Sequence, residues 1–262
     1  MTLNVIDSHF HIWDPDAQDL PWLAGLPSLQ HKYTIEDLAA QYAKFGVNFL
    51  GGVYVEVDAA DHELEDRLLY ENASPLILKR MLQGRVSPWM RVPINADGIR
   101  EPLHVDSEPR GRALEPEFIA GLRVMAVKGM PFELCNRGPE LGDMAKAFSQ
   151  VPEVTVIIDH LGNVPGLDEE SCAALAALAE LPNSYIKVSG DNPVDPDIVK
   201  YVRDTFGPKK VLYSSNWPVV ELNSTFATHF QLMLDMFGED EDFFENKDRK
   251  STRLNSSHEP RS

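Results

Sequence analysis

Only two cysteines occur in the 262 residues, Cys135 and Cys172, and no short-spaced cysteine pair exists. This excludes a disulfide framework and a cysteine-rich zinc site, and reduced thiols of the cytosolic kind are the simpler reading. The chain also has no apolar run near the ~20 residues that span a bilayer. Its first residues, Met1 to Asp7, hold no basic segment followed by an apolar stretch and a cleavage site. A soluble, cytoplasmic protein without a membrane partner is expected. Basic residues are few: 24 Lys and Arg stand against 41 Asp and Glu, giving a formal net charge of −17. Such a surface repels phosphate backbones and so argues against a nucleic-acid partner. The glycine-rich phosphate turn that would follow the first strand of an open dinucleotide-binding sheet is absent as well, and a histidine-rich turn stands in its place.

What is present is a steady alternation of strand-like and helix-like segments. Leu3–Asp7 reads as a first strand, and Phe49–Val57 as a second. Arg85–Pro93 is taken as the third and Gly98–Val105 as the fourth. Phe132–Cys135, Val154–Asp159, Tyr185–Ser189 and Val211–Ser214 complete the series. The run Val154-Thr-Val-Ile-Ile-Asp159 is continuously apolar and β-branched, as suits a parallel strand buried on both faces. Helices are expected between them. One is capped by Thr34 and stopped by Gly46, one opens at Pro116 and closes at Gly129, and the last covers Leu222–Phe237. Eight strands alternating with helices predict an α/β fold, a (β/α)₈ TIM barrel, in a single domain over residues 1–247. Residues 248–262 are basic and polar with no apolar period, and read as a disordered or artefactual tail.

Three clusters can carry chemistry. Asp7-Ser8-His9-Phe10-His11 lies where the first strand meets its loop, at the active face of such barrels. Strict alternation would point Asp7, His9 and His11 the same way, so that two imidazoles share one divalent cation or one oxygen. Asp159-His160-Leu161-Gly162-Asn163 closes the sixth strand and supplies a third imidazole. Ser214-Ser215-Asn216-Trp217-Pro218 ends the eighth, and its Asn216 can donate and accept hydrogen bonds but cannot serve as a carboxylate base. Glu56, Asp14 and Asp191 are carboxylates that can stand in as the base. Arg100 is a candidate clamp for a substrate carboxylate. His104 is a weaker candidate, while His31, His62 and His229 read as structural or exposed.

The motifs Asp-x-His-x-His-Ile-Trp-Asp-Pro, Asp-His-Leu-Gly-Asn and Ser-Asn-Trp-Pro-Val, in this order at the ends of the first, sixth and eighth strands, resemble the amidohydrolase-related family and, within it, its lactonase branch. The resemblance runs from about residue 3 to residue 247. It implies a hydrolase that opens a small sugar lactone or carboxylated lactone. His9, His11 and His160 would hold one divalent ion, zinc or manganese; without metal, His9, His11 and Arg100 would serve as oxyanion donors. His160, Asn216 and Glu56 are the implied catalytic residues, and Arg100, Trp13, Asp14 and Trp217 the implied substrate-binding ones. Asn216 stands where many members carry the aspartate that takes a proton from the attacking water. Two rival readings remain open: a decarboxylase of the same superfamily, and a non-catalytic barrel that only binds a small molecule. The partner expected in each case is a small-molecule substrate or ligand, and a homo-oligomer is left open.

Overall fold

The computed structural model describes residues 2–190, 192–238 and 240–245. Eight strands form one parallel sheet in sequence order: β1 (Asn4–Phe10), β2 (Asn48–Val55), β3 (Ile77–Gln83), β4 (Gly98–Pro102), β5 (Phe132–Cys135), β6 (Val156–Ile158), β7 (Ser184–Val188) and β8 (Val211–Tyr213). β8 returns to β1 through a parallel bridge between Trp217 and Phe10. The backbone bonds His11 N to Trp217 O (2.8 Å) and Asn216 N to His9 O (2.9 Å) sit beside it. The chain is therefore a TIM barrel, as its alternating pattern predicts.

The helices are α1 (Ile35–Ala43), α2 (His62–Glu71), α3 (Pro116–Lys128), α4 (Leu141–Ser149), α5 (Glu169–Glu180), α6 (Pro196–Phe206), α7 (Phe226–Phe237) and the short α8 (Glu241–Glu245). Local chemistry sets their ends. Thr34 and Asp37 form a reciprocal capping box on α1, Asp61 caps α2, Asp168 caps α5, and Gly129 closes α3 in the left-handed region. Among the described residues, no helix is long and apolar enough to cross a membrane.

β1 runs on to Phe10, β4 stops at Pro102 and β6 is only Val156–Ile158, and the sequence reading differs most at the third strand and the last long helix. The third strand is Ile77–Gln83, and residues 84–97 form an irregular connection with no helix before β4. Lys79 and Arg80 hide the strand in the pattern, and both are tied to Asp97: Lys79 Nζ at 2.9 Å, and Arg80 through its backbone N–H at 3.0 Å. The last long helix starts at Phe226, where Thr225 caps it, rather than at Leu222. The tail read as residues 248–262, and Asp191, lie outside the described residues.

The barrel interior has two layers. In the first, Val53, Val55, Met81, Ile157, Tyr185 and Leu212, from β2, β3, β6, β7 and β8, pack into an apolar cluster. A void of only about 10 Å³ remains beside it, so this layer is a filled core and not a pore. One or two residues further along the same strands the side chains turn polar, and there the candidate site begins.

Candidate active site

β1 delivers two imidazoles by breaking its own alternation. Asp7 pairs with Gly52 and Phe10 with Tyr54, so β1 carries one more residue than β2 across this interval. Gly52 is needed here, because a Cβ at that position would run into the Asp7 carbonyl. The bulge corrects the expectation that Asp7 faces the same way as His9 and His11. Asp7 instead accepts from Tyr42 Oη on α1 (2.8 Å), from Ser215 N (2.9 Å) and Oγ, and from His9 N (3.1 Å). Burial raises its pKa against these hydrogen bonds. Asp7 thus fastens β1 to the loop after β8, and the histidines are left to face the barrel.

His9 Nε2 and His11 Nε2 lie 3.0 Å apart. His11 Nδ1 is 2.9 Å from the Val55 carbonyl, an acceptor that requires Nδ1 to carry the ring proton. Burial, together with the neighbouring His9, Arg100 and His160, holds the His11 pKa well below its usual value. At neutral pH it is a neutral imidazole whose Nε2 lone pair points at His9. The His9 ring is wholly buried, and its Nδ1 meets Asp159 Oδ1 at 3.1 Å and Glu133 Oε1 at 3.3 Å. The His160 ring centroid is 4.8 Å from that of His9, and His160 Nδ1 is 2.8 Å from Ser189 Oγ. The loop carrying it is conformationally costly. His160, Leu161, Gly162 and Asn163 are four consecutive residues with positive φ, between 51° and 72°. Only one of them is glycine, and such backbone persists where the surroundings over-determine it. Asn216 is also left-handed, at φ 53°.

Beneath the imidazoles lies a buried charge network. Arg100 Nη1 bonds Glu56 Oε1, and Arg100 Nε bonds Asp159 Oδ2 at 3.3 Å. Lys187 Nζ touches Glu133 Oε1 at 2.5 Å, Asp159 Oδ1 at 3.1 Å and His9 Nδ1 at 3.1 Å. Burial opposes the Asp159 charge, but Lys187, His9 and Arg100 outweigh it and hold this carboxyl well below the usual range. Burial likewise works against the Arg100 charge, and Cys135, Glu56 and Asp159 more than restore it.

The structure gathers His9, His11, His160, Glu56 and Arg100, and places Asn216 against the His9 backbone. It adds Glu133 and Lys187, which the sequence reading did not single out as functional. Trp13, Asp14 and Trp217 have other surroundings. Trp13 is buried, with its indole N–H donating to Leu29 O (3.1 Å). Asp14 pairs with Lys32 at 2.9 Å. Both line a cleft of about 520 Å³ between the first loop, α1 and α2. The Trp217 ring is buried edge-on to Tyr33. His31, His62 and His104 are exposed, and His229 is buried with Nε2 2.8 Å from Ser214 O.

The Amidohydrolase family model matches residues 94–242, more than half of the chain. The chain belongs to this amidohydrolase family. A solved structure described as amidohydrolase 2 from Bifidobacterium longum subsp. infantis is 91% identical, covers 97% of this chain and 100% of its own, and superposes with a TM-score of 0.94. An amidohydrolase from Burkholderia multivorans, solved with bound zinc, shares the fold at 20% identity with a TM-score of 0.78, over 96% of this chain and 99% of its own. Among curated relatives, the L-fucono-1,5-lactonase of Burkholderia ambifaria is 23% identical over 86% of this chain and 83% of its own length.

The residues present fit a divalent ion. Two nitrogens each ~2.0–2.1 Å from a tetrahedral ion stand about 3.3 Å apart, close to the 3.0 Å seen between the two Nε2 atoms. His9, Asp159 and His160 also form a buried group whose ligand atoms lie within 4.8 Å of one another. The barrel thus carries, after β1 and β6, a buried His/Asp/His group that could hold one metal ion.

Proposed function

We propose that this amidohydrolase opens a small, uncharged, hydroxylated lactone by hydrolysis, with one divalent ion at the mouth of the barrel. The observation that carries the metal and the reaction centre is the facing pair of Nε2 atoms on His9 and His11. Two imidazole lone pairs at that distance repel unless a cation or a polar hydrogen lies between them. Bound there, a divalent ion would polarise the lactone carbonyl as a Lewis acid. The distant likeness to a sugar-lactone lactonase supports the choice of reaction.

The chain's own residues suggest how the rest is divided. With the ion on His9 and His11, His160, oriented by Ser189, is left free, and we assign it to take a proton from the attacking water and return it to the departing alkoxide. Asp159 is held ionised by its cationic neighbours and stays a fixed negative charge. Asn216 lacks a proton-accepting carboxylate and positions oxygen atoms by hydrogen bonding. Arg100 is the reason for preferring an uncharged substrate. Its guanidinium is engaged by Glu56 and Asp159, and the buried network holds three acidic groups (Glu56, Glu133, Asp159) against two basic ones (Arg100, Lys187). A second carboxylate brought by a dicarboxylic lactone would meet an excess of negative charge.

Proton release near neutral pH tests the reading against sugar lactones and carboxylated lactones, with and without zinc or manganese. The expected result is saturable acid production from a sugar lactone, enhanced by metal. Silence across the panel from folded protein overturns it, and carbon dioxide release from an aromatic acid identifies a decarboxylase instead.

A further inference from the structure

Glu133 and Lys187 are the lone charged residues of their buried strands, Phe132–Cys135 and Ser184–Val188. Both are buried, at 0% and 1% exposure, and neither has an obvious part in binding or in chemistry. A buried pair of this kind contributes little net stability over an apolar pair of similar volume, so its presence asks for another reason. The pair meets the reaction centre at one atom, His9 Nδ1. That nitrogen has two carboxylate oxygens around it, Asp159 Oδ1 at 3.1 Å and Glu133 Oε1 at 3.3 Å, and one ammonium, Lys187 Nζ, at 3.1 Å.

The choice of partner decides the ring's tautomer. If Nδ1 donates to the carboxylates, Nε2 presents a lone pair towards His11. If Lys187 donates to Nδ1, the proton sits on Nε2 and bonds His11 Nε2, and the pair can no longer accept a cation. Lys187 has two acceptors of its own, Glu133 Oε1 at 2.5 Å and Asp159 Oδ1 at 3.1 Å. These draw its protons away from the imidazole. We propose that Glu133 and Lys187 are positioning residues for His9: together with Asp159 they keep the ring proton on Nδ1 and aim the Nε2 lone pair at the mouth. This goes beyond the hydrolase reading in assigning residues, and rests on that reading only where catalysis is measured.

The test uses histidine ¹⁵N spectra of the full-length protein with one equivalent of zinc, in which ring nitrogens that carry a proton are distinguished from those that do not. The His9 signal is assigned by its loss in His9→Asn. The expected result is a protonated Nδ1 in the wild type. In Glu133→Gln the proton moves to Nε2, because the amide and the released Lys187 both offer donors to Nδ1. In turnover assays the same variant loses about tenfold or more in kcat with little change in KM. The charge-balanced double variant Glu133→Gln/Lys187→Met covers the case in which the single change fails to fold, and its kcat stays low. Two results overturn the proposal. One is a wild-type His9 protonated on Nε2. The other is a folded double variant with wild-type kcat, which would make the pair a charge-balanced structural element. The spectra need no substrate, so an inactive wild type would count against the hydrolase reading and leave this test standing.

Discussion

The two layers of the barrel interior are built on the same strands and serve opposite ends. In the lower layer, Ile157 of β6 and Tyr185 of β7 face apolar neighbours; two residues further along, Asp159 and Lys187 face each other at 3.1 Å. The period-2 geometry of a strand brings both sets inward. The lower layer has the high packing density of a core, where the loss of a methylene is felt as stability. The upper layer is a network in which each charge answers another, where a change is felt first in the orientation and protonation of an imidazole. One fold thus separates what holds the barrel together from what it does.

Each layer can be altered without touching the other. His11→Ala removes one of the two facing lone pairs and should lower lactone hydrolysis by ~10²–10³-fold, the scale of one lost electrostatic stabiliser. Thermal melting should barely move. In the lower layer, Ile157→Ala should cost about 2–5 kcal/mol of stability in denaturant unfolding, with kcat per folded molecule unchanged. If Ile157→Ala abolished turnover while leaving stability intact, the layers would not be separate in function.

Outside the barrel wall, Glu65 on α2 sharpens the contrast. Its carboxyl accepts from Tyr54 Oη (2.6 Å) and Val57 N (3.0 Å), and burial, helped by Glu56, raises its pKa to about 8. Because the folded-state pKa lies above the ordinary value of 4.5, the folded protein binds the proton more tightly than the unfolded chain. The stability from this group is complete below pH 4.5 and is lost as pH rises towards 8. Melting temperatures of Glu65→Gln should therefore fall less steeply than those of the wild type across that window, and parallel curves would contradict the assignment. The smallest effect is expected at Asp14, whose partner Lys32 is well exposed. Asp14→Asn should change KM by less than about threefold, as exposed ion pairs contribute little. A larger rise would bring the first loop into the substrate site.

Much of this was legible in the sequence. The later strands announce themselves as short apolar runs, and the histidines stand where such runs end. The third strand was not legible, because Lys79 and Arg80 interrupt its pattern and no helix follows it to mark the unit. The direction of Asp7 was hidden for another reason: a bulge is set by the partner strand, here by Gly52, and alternation within β1 alone cannot show it. Glu133 and Lys187 carry no functional role in the sequence reading. The signal was there in principle, since a charged residue inside a buried parallel strand needs an opposite charge, and strands five and seven carry one of each sign.

In the proposed site the His9 and His11 lone pairs converge on one cation. The most direct test is to strip the protein of metal, titrate it with zinc, and count the bound ion by elemental analysis after dialysis, for the wild type and for His11→Ala. About one ion per chain is expected in the wild type, and its loss in the variant. No retained zinc in the wild type, or equal retention in both proteins, would contradict it.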